Sequence, residues 1–276
     1  MATPILAKAV AAGVTSVATG VLLPLVEIQH FVEVAETPAK ELYYHPKYKN
    51  EVAVVIPTLN EADYIEDCLS SLLSQCWMRR FRDVTKIVVA DSQSEDDTVE
   101  LAEPYVDEVL EVPRGKLTAL DAAIRELEDS EIVVVLDADM TFARQHLNFL
   151  LRHFNADETV AAAGLTLDVP EINARITLHN LSKYYGVLGS FYMHGGNRAF
   201  RRWAYLESPF RLHIDQLDVD AMIAEEELAF PARLMKLGAV VGEPYAVAYH
   251  PIRRLWCELG DTSQFCIDIA EGRRFR

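Results

Sequence analysis

Asp137 and Asp139 sit at the end of the stretch EIVVVLDADMTF (131–142), directly after the apolar run from Ile132 to Leu136. Two carboxylates this close repel one another and raise each other's pKa. In extended backbone, residues two apart point the same way. A divalent cation between them removes the repulsion. Paired oxygen ligands suit Mg2+ or Mn2+, which complete their shells with water and phosphate oxygens. Other reactive or binding residue types follow apolar runs in PTLNEAD (57–63), ADSQSEDDT (90–98) and PRGK (113–116). Asp91 with Ser92 and Ser94 offers acceptors and donors to a ribose or a base. Arg114 and Lys116 flank Gly115, which permits close backbone approach. The pair suits a diphosphate or an acceptor phosphate. This is equipment for a nucleoside diphosphate whose departure is eased by a metal.

The elements that must position these groups alternate. VAVVI (52–56), KIVVA (86–90), VDEVLEV (106–112) and EIVVVLD (131–137) read as strands. Residues 61–75, 96–105, 116–128 and 143–154 carry helical spacing. Several strands are apolar without alternation, which predicts a mostly parallel sheet covered by helices on both faces. In such sheets ligands bind beyond the carboxyl ends of the strands. The polar stretches above all lie there.

The 276-residue chain carries 26 Lys plus Arg against 42 Asp plus Glu, a net charge of −16. That balance excludes a nucleic-acid-binding surface. It also repels phosphate-bearing ligands unless a cation or local basic residues intervene. Half the residues are hydrophobic, enough for a large core. The four cysteines, Cys68, Cys76, Cys257 and Cys266, show no CxxC spacing, so they read as buried small side chains in a reducing compartment.

VVIPTLNE (54–61), ADSQSEDDT, RGKLTAL (114–120) and VVVLDADMTF (133–142) follow one another in an order and spacing that resemble the nucleotide-sugar half of family-2-type glycosyltransferases with the GT-A fold. The resemblance covers about residues 51–150. It implies an α/β, Rossmann-like GT-A sheet and transfer of a single sugar from a UDP- or GDP-sugar to an acceptor hydroxyl. The acceptor class stays open between a lipid-linked molecule, a glycan and a small molecule. Pro57, Asn60, Glu61 and Asp91, with Ser92, match the nucleoside pocket. Lys116 matches the basic position after the third strand, and Arg114 and Asp137 are further candidates for contact with the nucleotide sugar. Asp137 and Asp139 match the D-x-D metal motif for Mn2+ or Mg2+.

GGNRAFRR (195–202) resembles the acceptor-side loop, which implicates Gly195, Gly196, Asn197 and Arg201. AEEELAFPARLMKLG (224–238) resembles the helix that carries the catalytic carboxylate. Counting back from Arg233 and Gly238 puts Glu226 and Glu227 in the acidic pair, with Glu227 as general base and an inverting reaction. His250, after an apolar run, matches a histidine that completes the metal site in some GT-A enzymes. VAYHPIRRLWCELG (247–260) also resembles the retaining glucosyl-phosphoglycerate synthases, which keeps a retaining enzyme open. A sugar-1-phosphate nucleotidyltransferase would want a Gly-rich basic loop after the first strand, which PTLNEAD does not supply. A non-catalytic scaffold with the same fold is the remaining alternative.

Three segments follow from this organisation: residues 1–50, the nucleotide-sugar half 51–150 and the acceptor half 151–276. Residues 9–26 carry no charge and hold Ala12, Ser16 and Gly20 at four-residue spacing. Three readings of this apolar helix stand open: a helix lying on a membrane, a helix docked on the domain or a second subunit, and a short span. Residues 34–50 read as a connecting segment. Arg273, Arg274 and Arg276, after Leu255, Trp256, Leu259, Phe265 and Ile269, suit anionic lipid. The nucleotide-sugar donor implies the cytoplasm, free or at the cytoplasmic face of a membrane.

Overall fold

The computed structural model describes residues 18–38, 44–169, 180, 183, 186–189, 193–213 and 219–251. The first helix, α1 (Ala18–Glu36), precedes strand β1 (Val52–Thr58), helix α2 (Ile65–Leu73), the short α3 (Met78–Phe81) and β2 (Thr85–Asp91). Then come α4 (Thr98–Ala102), β3 (Glu108–Glu111), α5 (Lys116–Glu126), β4 (Ile132–Leu136) and the two-residue β5 (Thr141–Phe142). Helix α6 (His146–Leu151) leads to β6 (Thr159–Val169), β7 (Asn197–Arg201) and α7 (Arg202–Glu207). The chain continues through α8 (Val219–Ile223), a π-helix (Ala224–Ala229), α9 (Phe230–Leu234) and β8 (Ala239–Pro251).

Eight strands form one sheet in the order β3-β2-β1-β4-β7-β6-β8-β5. Strands β3, β2, β1 and β4 run parallel, β7 is antiparallel to β4 and β6, and β8 runs parallel to β6. The expected mostly parallel α/β sheet is therefore present, and strands from either side of residue 150 share it. The apolar runs are continuous because both faces are covered. Val52, Val54 and Ile56 of β1 pack toward α2 and α6, where Ile65, Leu69, Leu72, Leu147 and Leu150 lie. Ala53 and Val55 face α5, α7 and α9 through Leu117, Leu120, Tyr205 and Phe230. Each fully buried large apolar side chain here contributes about 1.5–3 kcal/mol.

Helix α1 runs through Pro24 and on to Glu36, so the connecting segment expected from residue 34 starts three residues late. Its buried side chains Ile28, Phe31, Val32 and Ala35 pack on Ala143, Leu165, Leu167, Val187 and Val247. Tyr249 donates to Glu36 (2.9 Å), and Gln145 donates from its backbone to Ala35 (2.9 Å) and from its side chain to Thr37 (2.8 Å). This part of the helix is docked on the domain. Among the described residues no helix is long and apolar enough to cross a membrane. Residues 9–17 and the basic C-terminal stretch lie outside the described residues, as do Cys257 and Cys266.

Candidate active site

The carboxyl ends of β1, β2, β4, β6 and β8 open on one edge of the sheet, where the amino end of β7 also arrives. Thr58 ends β1 and donates to Asp91 Oδ1 (2.9 Å), which ends the neighbouring β2. Ser94 donates to the same carboxylate from its hydroxyl (2.6 Å) and its backbone (2.9 Å). Asn60 adopts φ 55°, a conformation that Asn tolerates, and its side chain accepts from the Glu95 backbone at 2.8 Å. Its own N–H donates to Ser94 Oγ (2.9 Å), and the Glu61 N–H donates to Thr98 Oγ1 (2.7 Å). The β1 and β2 loops are thus stitched into one wall that carries Pro57, Asn60, Glu61, Asp91 and Ser92. Beside it a hollow of about 440 Å3 is lined by Asp91, Gln93, Ser94, Val99, Val109 and Glu111.

Arg114 pairs with Glu95 (2.8 Å) and donates to the Gln93 carbonyl (3.3 Å), so it braces this wall. Gly115 holds φ 109°, which admits glycine and strains other residues, and it turns Lys116 inward at the start of α5. Lys116 Nζ lies 2.8 Å from Asp137 Oδ1 and 3.3 Å from Glu226 Oε2. Burial alone would lower this ammonium; the two carboxylates outweigh it and hold the group above its usual range.

The extended backbone expected through Asp139 stops at Leu136. Met140 N–H donates to the Asp137 carbonyl (3.2 Å), closing a turn that sends the two aspartates to different partners. Asp137 takes Lys116. Asp139 Oδ2 lies 3.4 Å from His250 Nε2. The like-charge problem at the end of β4 is therefore answered within the chain by one cation for each carboxylate. The His250 ring also meets Asp168, with Nδ1 3.3 Å from Oδ1. Burial alone would lower the His250 imidazolium, but Asp139 and Asp168 raise it to about 9.

Asp139 and His250 converge as an oxygen and a nitrogen donor at a spacing close to the roughly 3 Å between adjacent ligands of an ion bound at about 2.1 Å. Among the described residues no group of three or more His, Cys, Asp or Glu is gathered for a metal. The pair fits an ion that completes its shell with water and phosphate oxygens. For His250 to ligate it must release its proton.

Glu225, Glu226 and Glu227 lie in the π-helix and diverge. Glu225 is buried, pairs with Arg233 and accepts from the Arg211 backbone (2.9 Å). Glu226 is buried between Lys116 and Arg198, whose Nη2 lies 2.7 Å from Oε1. Burial would raise its carboxyl, yet Lys116 and Arg198 together hold it below the usual range. Glu227 is half-buried and accepts from the Gly195 N–H at 3.3 Å. A β-carbon on Gly195 would sit 2.6 Å from the Glu226 carboxyl carbon, and one on Gly196 2.2 Å from that of Asp137. The glycine pair thus closes over both carboxylates.

Two acceptor-side expectations are corrected. Asn197 is fully buried: its Oδ1 lies 2.7 Å from His146 Nε2, and its Nδ2 donates to Thr166 (3.3 Å) and the Ala246 carbonyl (3.2 Å). Arg201 lies at the opposite edge of the sheet, opposite Ile132, where it binds Glu131 and the carbonyls of Thr159, Phe154 and Ala156. Of the stretch expected as a loop, Asn197–Arg201 form strand β7, whose far end cannot reach the site.

Arg198, His194, Asp168 and Lys183 belong to the cluster and were missed. Arg198 is fully buried between Phe210 and Phe230, with its guanidinium carbon 5.2 and 5.6 Å from the ring centres. His194 packs against His250, ring centres 6.0 Å apart. Asp168 follows GLTL (164–167) near the end of β6, and a carboxylate near a strand end is the same signal that Asp91 carries.

The solved mannosyltransferase PcManGT from Pyrobaculum calidifontis, in complex with GDP-Man and Mn2+, is 23% identical with a TM-score of 0.59, over 85% of this chain and 67% of that one. Glucosyl-3-phosphoglycerate synthase from Mycobacterium tuberculosis, in complex with Mn2+, UDP and phosphoglyceric acid, is 21% identical with a TM-score of 0.52, over 86% and 87% of the two chains. Both show the shared GT-A fold. An uncharacterised glycosyltransferase of Mycoplasma pneumoniae is 29% identical over 123 residues. The match spans 42% of this chain and only 40% of that curated relative. Residues 53–224 match the family described as Glycosyl transferase family 2, well over half of the chain. The chain belongs to glycosyl transferase family 2.

Proposed function

We propose that this glycosyltransferase moves one sugar from a UDP- or GDP-sugar to an acceptor hydroxyl, with divalent-metal dependence and inversion at the anomeric carbon. The observation that carries the reading is the division of labour between Glu226 and Glu227. Glu226 is locked between two cations and is a poor proton acceptor. Glu227 adjoins it, half-buried beside the glycine turn over Asp137. Glu227 takes the proton from the attacking hydroxyl, which attacks the anomeric carbon as the nucleoside diphosphate leaves from the opposite face.

Asp91, with Thr58 and Ser94 fixing its orientation, receives the ribose or base, and Lys116 stands toward the diphosphate. Asp139 and His250, with Asp137 beside them, would hold Mn2+ or Mg2+, which supplies positive charge to the departing diphosphate. Structures of the two solved relatives that carry nucleotide and Mn2+ support the donor class and the metal. The acceptor stays at the level of a hydroxyl.

The test is transfer from a panel of UDP- and GDP-sugars with Mn2+, with the anomeric configuration of the product read by NMR. Inversion in the wild type, with transfer lost in Glu227→Gln, supports the reading. Retention overturns Glu227 as base and favours the glucosyl-phosphoglycerate synthase type of enzyme.

A further inference from the structure

We propose that Asp168 is a positioning residue for the metal site: it holds the His250 ring so that Nε2 faces Asp139. The inference rests on reading Asp139 and His250 as ligands and adds a residue that the motifs do not mark.

Asp168 and His250 are direct partners in the register of the parallel strands β6 and β8, both near the ends that open on the site. The His250 ring lies between two carboxylates, with Nδ1 3.3 Å from Asp168 and Nε2 3.4 Å from Asp139. An imidazole whose one nitrogen is tied to a carboxylate presents the other in a fixed direction, with its tautomer set. Asp168 is itself immobilised. Its carboxylate pairs with Lys183 Nζ at 2.8 Å, and both side chains are nearly fully buried, 2% and 6% exposed. Asn180 clamps the Asp168 backbone from both sides, accepting from its N–H (2.9 Å) and donating to its carbonyl (3.3 Å). Lys183 offsets the cost of burying the carboxylate, at the same oxygen, Oδ1, that meets the imidazole. Lys183 at the carboxylate and Asn180 at the backbone, three residues apart, thus fix the residue that sets the ring of a ligand.

A purely structural ion pair between Asp168 and Lys183 would stabilise the fold without touching metal affinity, so the readout is Mn2+ binding itself. Mn2+ is titrated into the full chain by calorimetry, alone and with UDP, for wild type, Asp168→Asn, His250→Ala and the double variant. Thermal melting is followed in parallel. Asp168→Asn is expected to weaken Mn2+ binding on the order of 10- to 100-fold. His250→Ala should lose at least as much, and the double variant should bind no worse than His250→Ala alone. If Asp168→Asn does not fold, Asp168→Glu keeps the charge, displaces the ring and should show the same loss. Wild-type affinity in Asp168→Asn, or losses that add in full in the double variant, would overturn the proposal. Undiminished Mn2+ binding in both single variants sinks the ligand assignment and leaves metal dependence standing. A wild type that binds no Mn2+ even with UDP overturns both.

Discussion

Glu226 and Glu227 differ by one position in sequence and by a whole environment in the fold. Glu226→Gln removes the anion that holds both Lys116 and Arg198, leaving a buried guanidinium without its carboxylate. Breaking a buried pair in this way costs about 3–5 kcal/mol. Glu226→Gln should therefore lower the melting temperature and weaken nucleotide binding together. Glu227→Gln should melt as wild type and bind nucleotide normally while transfer falls on the order of 10²-fold or more. Donor KM, kcat and melting curves for both variants check the split; exchanged phenotypes would move the base to Glu226. A second prediction concerns Gly196. Its added methyl would stand 2.2 Å from the Asp137 carboxyl carbon, so Gly196→Ala must displace that side chain. The expected loss in kcat is about 10²-fold, the scale of an ångström-level misplacement. Unchanged kinetics would show that the position of Asp137 does not matter. At this scale the sequence was legible wherever a polar residue ends an apolar run, as with Asp91, Asp137 and His250. Asn197 and Arg201 were not legible as buried residues because NRAFR, a strand covered on both faces, lacks the alternation that marks a half-exposed one. Its alternate residues face α6 on one side and the aromatic cluster around Phe230 on the other. Arg198 sits on the aromatic side, where a charge is tolerated only through Glu226 and the flanking rings.

The π-helix is the element that gives three consecutive glutamates three different fates. Successive helical residues point in different directions, so one neighbour faces Arg233, one the buried cations and one the glycine turn. The widened turn ends where Pro231, which lacks an N–H, enters α9. Spacing from Arg233 points to Glu226 and Glu227 as the acidic pair, but the sequence carries no sign of a switch from α to π geometry. Helix α1 was legible as apolar and illegible as to what it covers. Its periodic face, Ile28, Phe31, Val32 and Ala35, is matched by residues far along the chain, from Ala143 to Val247. Phe31→Ala is expected to cost about 3–5 kcal/mol of unfolding free energy, the range for truncating a buried aromatic. Urea unfolding measures it, and a change below about 1 kcal/mol would mean that the helix is only loosely docked.

At the level of the whole molecule, the alternation of apolar runs and helices gave the sheet and its open edge. The crossing from parallel to antiparallel at β7 was not visible, because it depends on which distant strand completes the sheet. Acid stability is a property of this whole packed unit. His146 is fully buried against Asn197, and burial lowers its pKa to about 4, with the Asn197 hydrogen bond acting the other way. A depressed folded pKa means stability that is intact above the unfolded value near 6.5 and lost as pH falls toward 4. The loss by pH 5 is about 2 kcal/mol. Between pH 7.5 and pH 5 the unfolding free energy from urea titrations should fall by about that much more in wild type than in His146→Gln; equal pH dependence would remove His146 from the account.

The net charge of −16 sets the most direct test of the central claim, because it opposes binding of any polyanion without a cation. Calorimetry of UDP and GDP against the full chain, once with Mn2+ and once in excess chelator, measures this. At least one nucleotide should bind with the metal and lose on the order of tenfold or more of its affinity in chelator. Equal affinity in chelator, or no binding of either nucleotide under both conditions, would contradict a metal-dependent nucleotide-sugar site at this edge of the sheet.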